Sequence, residues 1–438
     1  MQQALDLAEA IVARGRACAD EVEAYTVVQE TALTRFARNR IHQNVGESSV
    51  ELSVRLSLDG HVGAAVGNQA DPDGIAALVQ RATRAAKRAP RDPGWPGVAR
   101  PSPVAQAEAW SEATATATPK TRAEVAAAVF AAMPAGALSF GGVLTGAGSH
   151  AAATSRGVAL AQRRSWSELR LTVHSCDGRA GYAARAARDV MDLNPDALTD
   201  EALSRALAGH AVKDLPPGEY PVILAPYAVA RLLEFLAFLG FAGVRQAQGR
   251  TFMHLGEPVT GPGVSIWDDG TEPEGLPIGF DREATPKRRV DLIRDGVAVA
   301  VLHDRRSAAE AGTAPTGHAA PEEAAPANLF FGPGSASPAE LLAIDRGVWV
   351  TRLHYVNVRD PLSATVTGVT RDGTLLVESG RVVGPVQDMR FVSGILDGLR
   401  GLQAASTESR LLLHTITGSV SAPAIRLASF RFTGPSGR

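Results

Sequence analysis

The sequence is short of the side chains from which most metal and redox sites are built. Only two of its 438 residues are cysteine, Cys18 and Cys176, far apart in the chain. That argues against a disulfide framework and excludes a cysteine-cluster metal site. The ten histidines are His42, His61, His150, His174, His210, His254, His303, His318, His354 and His414. No two stand near enough to share one helix face, so the histidine pair of a helical zinc hydrolase is missing. No phosphate loop is present either. Gly332-Pro333-Gly334-Ser335 lacks the lysine and reads as a turn before a short helix capped by Ser337. No Gly-x-Ser-x-Gly elbow offers a nucleophilic serine. Long apolar runs are absent too. Residues 222–243 are interrupted by Pro226, Arg231 and Glu234, which predicts a strand and a buried helix rather than a membrane span. The start of the chain has no basic segment followed by an apolar one, so a cytoplasmic location is expected. Lysine occurs only at Lys87, Lys120, Lys213 and Lys287, and arginine carries the remaining positive charge. The net charge of -2 gives no general attraction to nucleic acid or anionic lipid.

What is present is an ordinary globular composition, 45% apolar and 21% charged, on a chain long enough for more than one core. Apolar spacing predicts a helix over residues 2–16 and a strand over 21–30. Strict alternation predicts a hairpin over 49–67, turning at Asp59-Gly60. A helix over 71–87 follows, capped by Asp71 with Pro72 just inside it. Residues 89–119, rich in proline, alanine and threonine, read as a linker or long irregular loop. A helix over 121–133 closes that stretch. The hairpin pattern then recurs. Ser49, Ser57, Asp59, Gly60, Gly63 and Ala65 match Ser167, Ser175, Asp177, Gly178, Gly181 and Ala183, and a second helix is expected over 196–210. This points to an internal duplication of hairpin-plus-helix units within residues 1–213.

Pro216-Pro217-Gly218 marks a boundary. Beyond it come a strand (220–224), a helix (227–241) and then many strands, with turns at Arg294-Asp295-Gly296, Asp372-Gly373 and Ser379-Gly380. Residues 307–326 read as a mobile surface loop. The fold class is therefore α+β: an amino-terminal part over 1–213 and a β-rich carboxy-terminal part with a buried helix over 214–438.

Chemistry is sparse. Cys176 lies two residues from His174, so one strand face would hold both; the plainer reading is a small residue at a hairpin tip. Acidic groups occur at Trp267-Asp268-Asp269-Gly270 and Phe280-Asp281-Arg282-Glu283, and His303-Asp304-Arg305-Arg306 ends a strand. These either converge on one cleft or serve as turn caps and surface ion pairs.

Several segments in fixed order resemble the TldD/PmbA family, whose PmbA branch is also called TldE and was labelled a modulator of DNA gyrase. They are Tyr220-Pro221-Val222-Ile223-Leu224 with its following helix, the segment 263–269, Gly279-Phe280-Asp281-Arg282-Glu283 and Asp291-Leu292-Ile293-Arg294-Asp295-Gly296. After them come Thr316-Gly317-His318, Ala327-Asn328-Leu329-Phe330, Thr367-Gly368-Val369-Thr370-Arg371-Asp372-Gly373 and Val377-Glu378-Ser379-Gly380. The resemblance implies a protein of two α+β parts. It further implies a heterodimer in which a TldD subunit carries zinc on a His-Glu-x-x-x-His helix and a late cysteine, and trims unfolded peptides. In this chain Leu233 and Phe238 stand where the histidines would be, only Glu234 survives, and no cysteine follows Cys176. The resemblance is therefore to the TldE/PmbA branch, with no cofactor in this chain and zinc expected in a TldD-type partner. Leucine and phenylalanine at the ligand positions suggest a cavity filled by apolar side chains. The candidate peptide-cavity residues are Glu234, Asp281, Arg282, Glu283, His303, Asp304, Asn328, Thr370 and Arg371. Two other readings stay open: a stand-alone hydrolase with a rearranged site around Asp281, Glu283, His303 and Asp304, and a binding or regulatory protein, including the gyrase link; a homodimer is the alternative to the heterodimer.

Overall fold

The computed structural model describes residues 1–105, 107–209, 211–414 and 418–436. Its architecture is α+β, with two sheets and helices set against them.

The first sheet holds β1 (Glu21–Ala37), β2 (Arg40–Leu58), β3 (His61–Gly67), β4 (Leu138–Thr154), β5 (Ala159–His174) and β6 (Ala180–Ala187), in the order β3-β2-β1-β4-β5-β6. Every pairing in it is antiparallel. Helices α1 (Gln2–Gly15), α2 (Pro72–Arg88), α3 (Glu112–Ala115), α4 (Pro119–Ala131) and α5 (Pro195–Ala206) accompany it. The order helix, three strands, helix thus occurs twice, and β1 and β4 pair at the centre. The two hairpins play matching parts. A Cβ placed on Gly63 would strike the Ala82 carbonyl and the Ala86 nitrogen of α2, and one on Gly181 the Ala202 carbonyl and the Ala206 nitrogen of α5. Each glycine lets a helix lie directly on the strand. The expected cap is in place, since Asp71 accepts from the Gly74 N–H at 2.9 Å. The second helix ends at Ala206; His210, the last residue of the helix expected there, lies outside the described residues.

The second sheet holds β7 (Gly218–Leu224), β8 (Ile266–Asp268), β9 (Val290–Arg294), β10 (Val297–Ala298), β11 (Asn328–Phe331), β12 (Arg346–Asp360), β13 (Thr365–Glu378), β14 (Arg381–Pro385), β15 (Met389–Gly394), β16 (Leu402–His414) and β17 (Gly418–Pro435). Strand β7 pairs in parallel with β12 and antiparallel with β17. The pairings β17-β15-β13-β12-β7-β17 therefore close a ring. Helix α6 (Pro226–Gly240) packs against β7, β12, β16 and β17. It buries Val229, Leu232, Leu233, Leu236 and Leu239, which explains why its sequence is apolar nearly all round. The short helices α7 (Gly243–Ala247), α8 (Arg305–Glu310), α9 (Pro338–Leu342) and α10 (Ile395–Arg400) fill the connections. Among the described residues no helix is long and apolar enough to cross a membrane.

Three sequence expectations change. Asp372-Gly373 is no hairpin turn: both residues have positive φ, 56° and 122°, but they lie inside β13 as a bulge opposite a register shift in β12. A turn dipeptide can kink a strand without ending it. The stretch 307–326 is not an outlying loop. It begins within α8 and then turns inward, burying Thr316 and His318; the His318 Nε2 lies 2.7 Å from the Asp268 Oδ1. The polar composition that suggested a loop serves an internal hydrogen-bond network instead. The irregular stretch after α2 is also tied down. Val98, Ala99 and Ala109 are buried, the Trp95 indole donates to Glu21, and Arg305 donates to the Pro96 and Gly97 carbonyls.

Candidate functional site

One face of the first sheet packs against helices through Phe36, Val143, Leu169 and Leu171. Alternation sends the residues between them to the opposite face. Register places Leu33, Leu144 and Glu168 side by side there, and likewise Arg35, Gly142 and Arg170. This face forms the floor of a cavity of about 840 Å³, lined also by Phe140, Trp166 and, from the second sheet, Leu413 and His414. Gly146 makes room for the Trp166 ring, which a Cβ there would strike. A smaller recess of about 150 Å³ shares Glu168, Arg170, Leu413 and His414 with it, so the two spaces adjoin.

The recess brings α6 to the sheet. Tyr227, Arg231 and Glu234 line it, together with Tyr182, Arg352 and His354. Glu234 is buried. Its carboxylate is held by the Arg231 guanidinium one turn away and lies 3.1 Å from the His414 Nδ1. Glu168 binds Arg170 at 2.7 Å, and Arg170 also donates to the Leu413 carbonyl at 3.2 Å. Burial raises the Glu168 carboxyl above its usual range, with Arg170 opposing. A hydrogen-bonded chain thus runs from β5 through the end of β16 to α6. Such a cluster can hold polar groups of an extended ligand and fix its orientation.

Among the expected cavity residues only Glu234 lies here. Leu233 is buried in the core and Phe238 is 44% exposed under the Arg245 guanidinium. One side chain is in the core and the other at the surface, so the two do not fill one space. Asp281 stitches its own loop, accepting from the N–H groups of Glu283, Thr285 and Ala319 at 2.8–2.9 Å; burial, then the charge of Glu283, pushes its carboxyl up to about 7. Arg282 lies over Tyr25 and binds Glu51. Glu283 binds Arg55 and the Arg305 N–H. His303 lines a separate cleft of about 640 Å³ with Arg288 and Arg294, and Asp304 caps α8. Asn328 is buried, bridging Leu276, Asp269 and Ser419. Thr370 is buried against Thr374 and Met389, and Arg371 sits beside Asp372. Cys176 is exposed at its hairpin tip. Glu168, Arg170, His354 and His414 escaped the sequence reading. The alternation Glu168-Leu169-Arg170 was a usable signal, since it puts two charges on one strand face. Nothing local marked His414, which reaches Glu234 from far along the chain.

Among the described residues no group of three or more His, Cys, Asp and Glu side chains is placed to hold a metal ion. The donors on the cavity face of α6 are Tyr227, Arg231 and Glu234, and a guanidinium already occupies the carboxylate. These residues do not fit a zinc ion, whose sites are built from neutral imidazole, thiolate and carboxylate.

Two family models match. The PmbA/TldA metallopeptidase C-terminal domain covers residues 217–434, and the PmbA/TldA metallopeptidase domain 1 covers residues 22–86. A metalloprotease of Synechocystis is 26% identical over 273 residues, 58% of this chain and 58% of its own length. The metalloprotease TldD homolog of Haemophilus influenzae is 23% identical over 50% of this chain and 47% of its own. The chain thus spans about half the length of these relatives. The crystal structure of TldE from Thermococcus kodakarensis has the same fold: TM-score 0.88 at 19% identity, covering 98% of this chain and 100% of that one. The chain belongs to the PmbA/TldD family, which is related to metallopeptidases.

Proposed function

We propose that this chain is a TldE-type subunit without zinc ligands that pairs with a TldD-type zinc metalloprotease and helps to hold unfolded peptides for proteolysis. The observation that carries the reading is the state of α6: its cavity-facing carboxylate, Glu234, is held by a fixed protein cation, Arg231. That helix has no histidine, and no cysteine follows Cys176. The cavity floor is a sheet face with small residues, suited to an extended chain whose sequence varies. On this reading the chain has two parts, 1–213 and 214–438, the first a duplication of one hairpin-plus-helix unit, and it works in the cytoplasm. The matched positions of Gly63 and Gly181 support the duplication.

The test is reconstitution. The chain alone should leave an unfolded peptide intact, and adding a TldD-type chain that bears the His-Glu-x-x-x-His helix should give both a stable complex and cleavage. Cleavage by the isolated chain at a rate unaffected by chelator would contradict the proposal.

A further inference from the structure

The cavity floor carries more positive charge than its own carboxylates neutralise. Arg35, Arg164 and Arg170 line it. The register puts them on one sheet face: Arg35 and Arg170 both stand opposite Gly142, and Arg164 stands opposite Gly148, three strand alternations further on. Arg170 is engaged by Glu168. Arg35 and Arg164 have no carboxylate partner among the described residues. The Arg164 guanidinium lies 5.0 Å from the Trp166 ring centroid, and burial depresses its pKa. A half-buried cation held on an aromatic face without a counter-ion is a poor structural element and a good anion receptor. Beside it Leu33, Phe140, Leu144 and Trp166 present an apolar wall.

We propose that this cavity selects peptides by a carboxylate, bound by Arg164, that neighbours an apolar or aromatic side chain seated against Trp166 and Leu144. The inference rests on the reading of the cavity as a peptide site. It adds a substrate class: acidic or free-ended apolar peptides are preferred over neutral ones. A planar guanidinium pairs with a carboxylate through two parallel N–H donors, which neither an amide nor a hydroxyl reproduces.

The test is binding of three dye-labelled, unstructured peptides to the purified chain. All share one apolar sequence ending in phenylalanine. The first has a free terminal carboxylate, the second an amidated terminus and a penultimate glutamate, and the third an amidated terminus with glutamine in that place. One or both carboxylate peptides should bind about tenfold tighter than the neutral one, and which of them does so identifies the source of the carboxylate. Arg164→Gln should abolish the advantage and Arg164→Lys should retain part of it. Equal binding of all three peptides, or an advantage that survives Arg164→Gln, overturns the carboxylate preference and leaves the peptide cavity standing. Failure of all three to bind the folded chain overturns both.

Discussion

Replacing Arg55 by methionine should destabilise the chain by about 3–5 kcal/mol at neutral pH. Arg55 lies on β2 directly opposite Glu23 of β1. It pairs with Glu23 and also with Glu283, which arrives from the second half of the chain. Both carboxylates are buried, and the guanidinium rests 4.9 Å from the Trp95 ring centroid. One cation therefore serves two acids at the seam between the halves. Methionine keeps the stem but strands both charges, and an uncompensated buried charge costs far more than the intact pair contributes. The sign of the pH dependence follows from Glu23, whose carboxyl is raised from 4.5 to about 7, by burial first and then by Glu283, against the opposing pull of Arg55. A raised carboxyl favours the folded state fully below its unfolded value, and that contribution fades as pH rises through the folded one. Without Arg55 the acids can be neutralised only by protonation. The deficit, measured by denaturant unfolding, should be largest near pH 8 and shrink toward pH 5. A deficit below about 1 kcal/mol at pH 8, within the range of an exposed ion pair, would show the seam is held by something else.

Acid should destabilise the protein through His150. This side chain is buried on β4, with the Tyr25 ring centroid at 6.0 Å and that of Phe280 at 4.6 Å. Among the described residues its Nε2 has no hydrogen-bond partner. Burial, and then the positive charge of Arg164, lowers its pKa from 6.5 to about 3. The neutral ring is the folded form. Its contribution is complete above about 6.5 and is lost as pH falls toward 3, because the unfolded chain takes up a proton that the folded chain refuses. Between pH 6.5 and 3.5 the linkage amounts to roughly 3 kcal/mol. His150→Phe, which fills the site with a ring that does not titrate, should flatten the acid limb of the stability profile over that interval. An unchanged acid limb in the variant would assign the loss to the carboxylates.

The fold was legible where local chemistry and tertiary demand agree. Asp71 and Ser337 cap helices as their spacing required, and the Asp59-Gly60 turn sets the hairpin register. Strand β4 was not legible. Gly141, Gly142, Gly146 and Gly148 give it poor strand propensity, and it exists because β1 and β5 pair with it along both edges. The bulge at Asp372 was read as a turn because positive φ at a dipeptide serves either purpose. The site was legible only at Glu234, a lone acid in an apolar helix that had to find partners. Its partner His414 and the neighbouring Arg170 come from other strands, and no spacing in the sequence encodes a contact across 180 residues. Leu233 and Phe238 were paired by sequence offset, whereas the structure buries one and exposes the other.

The central claim is that this chain is the metal-free half of a zinc-dependent pair. The most direct measurement is the zinc content, by elemental analysis, of the purified chain alone and of its complex with a TldD-type chain. The chain alone should hold no stoichiometric zinc and the complex about one ion per pair, as expected for a single site in the partner. One tightly bound zinc per chain in the isolated protein would contradict it.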